Sequence, residues 1–251
     1  MRKNDALMPY TGDFHAAMAL LTRLPLPDAP TRGAGAVWAY PLVGALVGLI
    51  AGLIGLIAHW CGLPSALAAL AALAAQVIVT GAMHEDGLAD TVDGFWGGWA
   101  PARRLEIMKD SHIGVFGVIA LILSLGARWA ALWLLFQLDG GWALAAIVTA
   151  GAVSRAAIPA MMWALPHARD AGLSHGTGRP DARLCGAAAG IAALIALVLV
   201  GWSAFFALIW AALVTFALAW IARDKIGGQT GDTLGAVQQL AEIAVLLSIL
   251  V

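Results

Sequence analysis

Residues able to do chemistry are gathered in a few short polar stretches. The densest is His84-Glu85-Asp86-Gly87-Leu88-Ala89-Asp90-Thr91-Val92-Asp93-Gly94. If the apolar run before it continues as a helix, Asp86, Asp90 and Asp93 fall at i, i+4 and i+7, on one face. Three carboxylates that close repel one another and raise each other's pKa. A divalent cation removes that cost. Hard oxygen ligands suit Mg²⁺ or Mn²⁺, and Mg²⁺ commonly bridges to substrate phosphates. The plainer reading, a solvated acidic loop, fits poorly with Leu88, Val92 and Phe95 set among the acids.

Two further stretches complete the pattern. In Lys109-Asp110-Ser111-His112-Ile113-Gly114, Lys109 could serve as a point charge for phosphate. Ser111 or Asp110 could cap the next helix, leaving its N-terminus able to receive an anion, or capping could be their whole role. In Gly227-Gly228-Gln229-Thr230-Gly231-Asp232, the glycines let backbone N–H groups approach an anion, and Asp232 could add a metal or hydroxyl contact. Arg155 and Glu242 interrupt apolar runs, where charge is expensive and marks function or a structural pair, with each other or with Asp232. Arg128 is expected to snorkel. His15 and His59 read as interface residues. His167, Arg169, His175 and Arg179 stand in a glycine-rich loop that could cover a substrate or simply connect two helices.

The elements that must position these residues are apolar. Of 251 residues, 61% are hydrophobic and 12% charged, against about a quarter charged in soluble domains. A bilayer core needs about 20 apolar residues per helix. Seven runs come close: Val37–Trp60, Pro64–Met83, Ile113–Phe136, Trp142–Leu165, Leu184–Val200, Trp202–Ala222 and Thr233–Val251. Residues 13–24, with Phe14, Ala17, Met18 and Leu21 at helical spacing behind a capping Asp13, predict a short interfacial helix ended by Pro25–Pro27. The fold class expected is all-α, a polytopic membrane bundle forming one domain over residues 1–251. Gly44, Gly48 and Gly52 share a face and predict close helix contact.

Charge orients the bundle. Arg2, Lys3, Arg23 and Arg32 precede the first run. Arg103, Arg104 and Lys109 follow the second, Arg169, Arg179 and Arg183 the fourth, and Arg223 and Lys225 the sixth. The alternate connections carry none. This positive-inside pattern puts the N-terminus and the polar stretches in the cytoplasm. Trp38 and Trp60, Trp142 and Trp163, and Trp202 and Trp220 bracket three runs as an aromatic belt would. No cleavable signal peptide is visible. The net charge of −1 gives no support for nucleic-acid binding. Cys61 and Cys185 form no metal or disulfide pattern and read as small packing residues. Taken together, the residues describe a cytoplasm-facing, metal-dependent site for a phosphorylated substrate at a membrane boundary.

The same segments resemble cobalamin synthase, the adenosylcobinamide-GDP ribazoletransferase family, along nearly the whole chain. The resemblance is carried by Leu21-Thr22-Arg23-Leu24-Pro25, Tyr40-Pro41-Leu42-Val43-Gly44, His84 to Asp90 with Asp93-Gly94-Phe95, Lys109 to Gly114, Ser154-Arg155 and Gly231-Asp232-Thr233-Leu234-Gly235-Ala236. It implies an inner-membrane enzyme for the last assembly step of adenosylcobalamin. Adenosylcobinamide-GDP is joined to α-ribazole, or its 5′-phosphate, as a ribose hydroxyl displaces GMP from phosphorus, with Mg²⁺ as cofactor. On that basis Glu85, Asp86, Asp90 and Asp93 would hold metal and Asp93 would accept the hydroxyl's proton. Lys109 and Arg155 would neutralise phosphate oxygens, and His84, Ser111, Gly228, Gly231 and Asp232 would contact substrate. Membrane lipid is the other expected partner, and a homo-oligomer is left open.

Two other classes remain. A secondary transporter would use carboxylates near the midplane on broken helices, where only Glu242 qualifies, and no inverted repeat is visible. A CDP-alcohol phosphotransferase would act on a lipid-type donor, but the sequence lacks that family's spacing of an Arg behind an Asp-Gly segment.

Overall fold

The computed structural model describes residues 11–27 and 32–251. Arg2 and Lys3, used above to orient the chain, lie outside them. A short helix α1 (Thr11–Leu21) precedes a 3₁₀ segment (Gly33–Ala39) that runs directly into α2 (Tyr40–Trp60), with Pro41 in its first turn. There follow α3 (Ser65–Thr80), α4 (Met83–Gly97), α5 (Pro101–Ile107), α6 (Val115–Leu138), α7 (Gly140–Ala164), α8 (Leu173–Thr177), α9 (Ala182–Val200), α10 (Ser203–Ile226) and α11 (Gly231–Leu250). Among the described residues six single helices are long and apolar enough to cross a membrane: α2 with its 3₁₀ lead-in, α6, α7, α9, α10 and α11.

The second expected span is different. α3 ends after Thr80, and Gly81 and Ala82 both adopt left-handed backbone, at φ +65° and +57°. Left-handed φ is costly for alanine. Two such residues in succession turn the chain, so α4 leaves α3 at 86°. The acidic segment is therefore a helix of its own, and α3 and α4 taken together are long and apolar enough to form a seventh crossing, broken at the bend, or a re-entrant loop.

α7 is the most buried span and packs against α2, α6, α9, α10 and α11. Its contact with α2 is made by glycine. A Cβ on Gly48 would lie 2.7 Å from the Ile147 carbonyl oxygen, and Gly44 and Gly151 face each other backbone to backbone. Such close approach gains dispersion along both helices, the main cohesive term where lipid is as apolar as the side chains. Outward faces carry Ile122, Leu123, Val198, Phe216 and Trp220, all well exposed, as lipid contact requires. Trp60, Trp163 and Trp202 are exposed as a belt would have them, whereas Trp38 turns inward and donates to Asp13 (2.9 Å). Asp13 lies within α1 rather than capping it, and pairs with Arg32 at 3.1 Å. Cys61 is exposed in the turn after α2, and Cys185 donates to the Pro159 carbonyl (3.3 Å).

The charges inside the bundle form one network. Arg128, expected to snorkel, is 1% exposed and pairs with Glu85 (2.8 Å) and Glu242 (3.5 Å). Arg155 pairs with Glu242 at 2.7 Å and donates to Ser154. Gln239 donates to Glu85 (3.2 Å), and Gln238 donates to Ser154 (3.0 Å) and to Glu242. Two arginines and two glutamates thus neutralise each other, and α4, α6, α7 and α11 are joined through them. Breaking such a set by removing one partner strands a buried charge, at about 3–5 kcal/mol. Glu242→Ala should therefore lower the thermal unfolding midpoint of the detergent-purified chain markedly. Stability equal to wild type would mean the network carries no structural weight.

Candidate active site

α6 and α11 start, and α3, α7 and α10 end, at one end of the bundle, where α4, α5 and the 166–181 connection gather. Two glycines set the distance between α4 and α11. A Cβ on Gly87 would lie 2.7 Å from the Asp232 carbonyl oxygen, and one on Gly235 would lie 3.2 Å from His84 Cα. The helices are in backbone contact there, which brings the acids of α4 beside Asp232, in the first turn of α11. Thr230 caps α11 through the Thr233 N–H (3.3 Å) and also donates to Asp232 (3.2 Å).

Asp86 is exposed and Asp90 half-buried on α4. Burial, then the negative charges of Asp232, Asp86 and Asp93, push the Asp90 carboxyl up to about 7, against the opposing pull of Arg169. Arg169 reaches in from the 166–181 connection, donating to Asp232 (3.2 Å) and to the Leu105 carbonyl (3.0 Å). That connection is stitched to the start of α11. Ala168 N donates to the Gln229 carbonyl and Gln229 N to the Pro166 carbonyl, both at 2.9 Å. Gln229 also meets His167 Nδ1 (2.9 Å) and accepts from Ser174 (2.6 Å). Burial first, then the charges of His175 and Arg179, lower the His167 pKa. His175 lies edge-on to His167, ring centroids 5.2 Å apart.

These elements enclose a cavity of about 340 Å³, lined among others by Tyr40, His84, Asp86, Gly87, Met162, Arg169, Ser174, Gly231 and Asp232. The structure thus brings together Asp86, Asp232, His84 and Gly231 on the cavity, with Asp90 close enough to feel the charges of Asp232 and Asp86. It does not bring in the rest. Glu85 is committed to Arg128 and Gln239. Asp93 accepts from the Gly114 N–H (2.7 Å) and the Gly117 N–H (2.8 Å), so both its oxygens serve the orphan donors at the start of α6. It takes the capping role expected of Ser111 or Asp110; Asp110 instead bonds His112 (2.7 Å), which with the His112 N–H holds its pKa low. Arg155 is buried against Glu242. Lys109 and Ser111 are exposed in the α5–α6 turn and do not line the cavity. Gly228 supports the wall from behind, its Cα against the Pro166 carbonyl.

In the sequence Arg169 stands in a loop that could cover a substrate or simply connect two helices. Its signal was there: an Arg between His167 and a glycine-rich run, on the same charged side as the acids. Among the described residues no three Asp, Glu, His or Cys side chains stand at metal-ligand spacing. The donor set nevertheless suits Mg²⁺. That ion keeps several waters and is held by one or two carboxylates plus substrate phosphates, and the crowding felt at Asp90 is the cost a cation would remove.

Similar proteins point the same way. An adenosylcobinamide-GDP ribazoletransferase from Mesorhizobium japonicum is 47% identical over 238 residues, covering 94% of this chain and 91% of the relative. Proteins of that name from Bradyrhizobium diazoefficiens and Brucella canis are 43% and 42% identical, each over at least 95% of both chains. No solved structure matches. The cobalamin-5-phosphate synthase model matches residues 13–250, from α1 to the last turn of α11, and so takes in every helix that builds the cavity: the chain belongs to the cobalamin-5-phosphate synthase family.

Proposed function

We propose that this chain is a multi-pass membrane transferase that completes adenosylcobalamin, joining adenosylcobinamide-GDP to α-ribazole or its 5′-phosphate. The ribose hydroxyl oxygen bonds to the corrinoid-side phosphorus, the bond from that phosphorus to GMP breaks, and GMP leaves with the electron pair. The observation that carries the reading is the meeting of Asp86 and Asp232 with Arg169 on one cavity, with Asp90 one turn along α4 and within electrostatic reach of them, in a chain of this family.

Asp86, Asp90 and Asp232 are the residues that would hold Mg²⁺. The ion would neutralise pyrophosphate oxygens as charge moves to the leaving group. Arg169 adds a fixed guanidinium on the same side, able to exchange its Asp232 contact for a phosphate oxygen. Glu85, Asp93 and Arg155 drop out of the contact set and act by holding α4 and α6 in place. The attacking hydroxyl's proton goes to a carboxylate on the cavity face of α4 rather than to Asp93. Arg103, Arg104, Lys109, Arg169, Arg179, Arg183, Arg223 and Lys225 all lie at this end in the sequence pattern, which supports placing the site on the cytoplasmic side of the inner membrane.

The detergent-purified chain should release GMP from adenosylcobinamide-GDP plus α-ribazole, dependent on Mg²⁺ and without a sealed vesicle. A transporter would give no release. Asp90→Asn and Asp232→Asn should lower kcat by about two orders of magnitude, with unfolding midpoints near wild type. Wild-type turnover in both variants would remove the carboxylate assignment. Gly87→Val should push α4 off α11 and cost about tenfold or more in kcat, because displacement by even an ångström misplaces the acids; full activity would show that the glycine contact does not set the site.

A further inference from the structure

His84 is 2% exposed, yet neither of its ring nitrogens has a hydrogen-bond partner. A buried polar group left unpaired costs stability, and native structures keep few of them. This one lines the cavity, and the apolar residues that line it too include Leu21 of α1, Tyr40 of α2, Met83 of α4, and Ile158 and Met162 of α7. The cavity lining is therefore of two chemical kinds. Asp86, Asp232 and Arg169 make one. The other is an apolar wall with one unsatisfied imidazole.

We propose that the apolar side is the seat of the nucleoside acceptor, its flat bicyclic base lying against Tyr40, Ile158 and Met162 and its ribose hydrogen-bonded by His84. This rests on the reaction proposed above and adds which substrate occupies which side. An imidazole ring can offer a donor at one nitrogen and an acceptor at the other, which matches a sugar hydroxyl, itself both donor and acceptor. A benzimidazole base has no exocyclic polar groups to satisfy. Guanine carries several, and an apolar wall would leave them unpaired at a cost. The volume, about 340 Å³, lies at the lower end of small-molecule sites. It admits a nucleoside and leaves a corrin ring outside, so the donor presents only its pyrophosphate to the acidic side.

The test is initial-rate kinetics on the detergent-purified full chain, varying each substrate in turn. His84→Phe should raise KM for α-ribazole by about tenfold or more, with KM for adenosylcobinamide-GDP nearly unchanged. His84→Asn, which restores a donor and an acceptor, should recover most of the loss. Met83→Trp, which narrows the apolar side without touching the imidazole, should also raise the acceptor KM, so the proposal stays testable if the phenylalanine variant does not fold. A rise in the donor KM with the acceptor KM unmoved would put the nucleotide in this cavity and overturn the proposal, as would unchanged KM for both. Should wild type release no GMP, the reaction itself fails, and equilibrium binding of α-ribazole to wild type and His84→Phe decides the subsite alone. Equal binding to the two proteins would overturn it.

Discussion

Glu85 bonded to Arg128 is the contact on which the site depends. α4 leaves α3 at 86°, so its length alone fixes neither its depth nor its rotation. The ion pair fixes both. Glu85 is drawn into a neutral set with Arg128, Glu242 and Arg155, and the start of α4 is pinned to α6 and α11. Neighbouring residues on a helix point about 100° apart. With Glu85 turned into the bundle, Asp86 faces the cavity, and Asp90 lies one turn on, within reach of its charge. Asp93, a further turn along, reaches the start of α6 and closes the other end of the clamp. One helix thus carries four carboxylates with two duties, two holding the helix and two left for ligand.

Packing by small residues supplies the precision that charge alone would not. Gly87 and Gly235 let α4 and α11 touch, and the distance between Asp86 and Asp232 is then a matter of backbone contact rather than of flexible side chains. The same device joins α2 to α7 through Gly44, Gly48 and Gly151, which holds Tyr40 and Met162 on the opposite wall. The 166–181 connection closes the space from above, tied to Gln229 by backbone and side-chain bonds and to Asp232 by Arg169.

Much of this was legible in the sequence. The six long spans, the short first helix and the glycine face of α2 follow from hydrophobic length and spacing, because a bilayer leaves the chain few alternatives. The concentration of acids and bases at one end was equally plain. The partners were not. Glu85 looks the same as Asp86 in a string of letters; what separates them is the rotation of α4, set by Arg128, which lies 43 positions away. Asp93 read as a metal ligand since the glycine N–H groups it caps belong to another helix. The break between α3 and α4 was hidden because Ala82, an unremarkable helix former, takes a left-handed conformation. Arg169 could be placed only in a loop able to cover a substrate, because loop residues show no periodicity from which a direction could be read.

The central claim is that Asp86 and Asp232, from two helices, serve one ligand, while Asp93 serves the fold. Mn²⁺ binding followed by electron paramagnetic resonance, on the purified chain with pyrophosphate present, addresses it directly. The account predicts that Asp86→Asn and Asp232→Asn each weaken binding by about tenfold or more, and that Asp93→Asn leaves it near wild type. Binding that survives the first two substitutions and disappears in the third would contradict it.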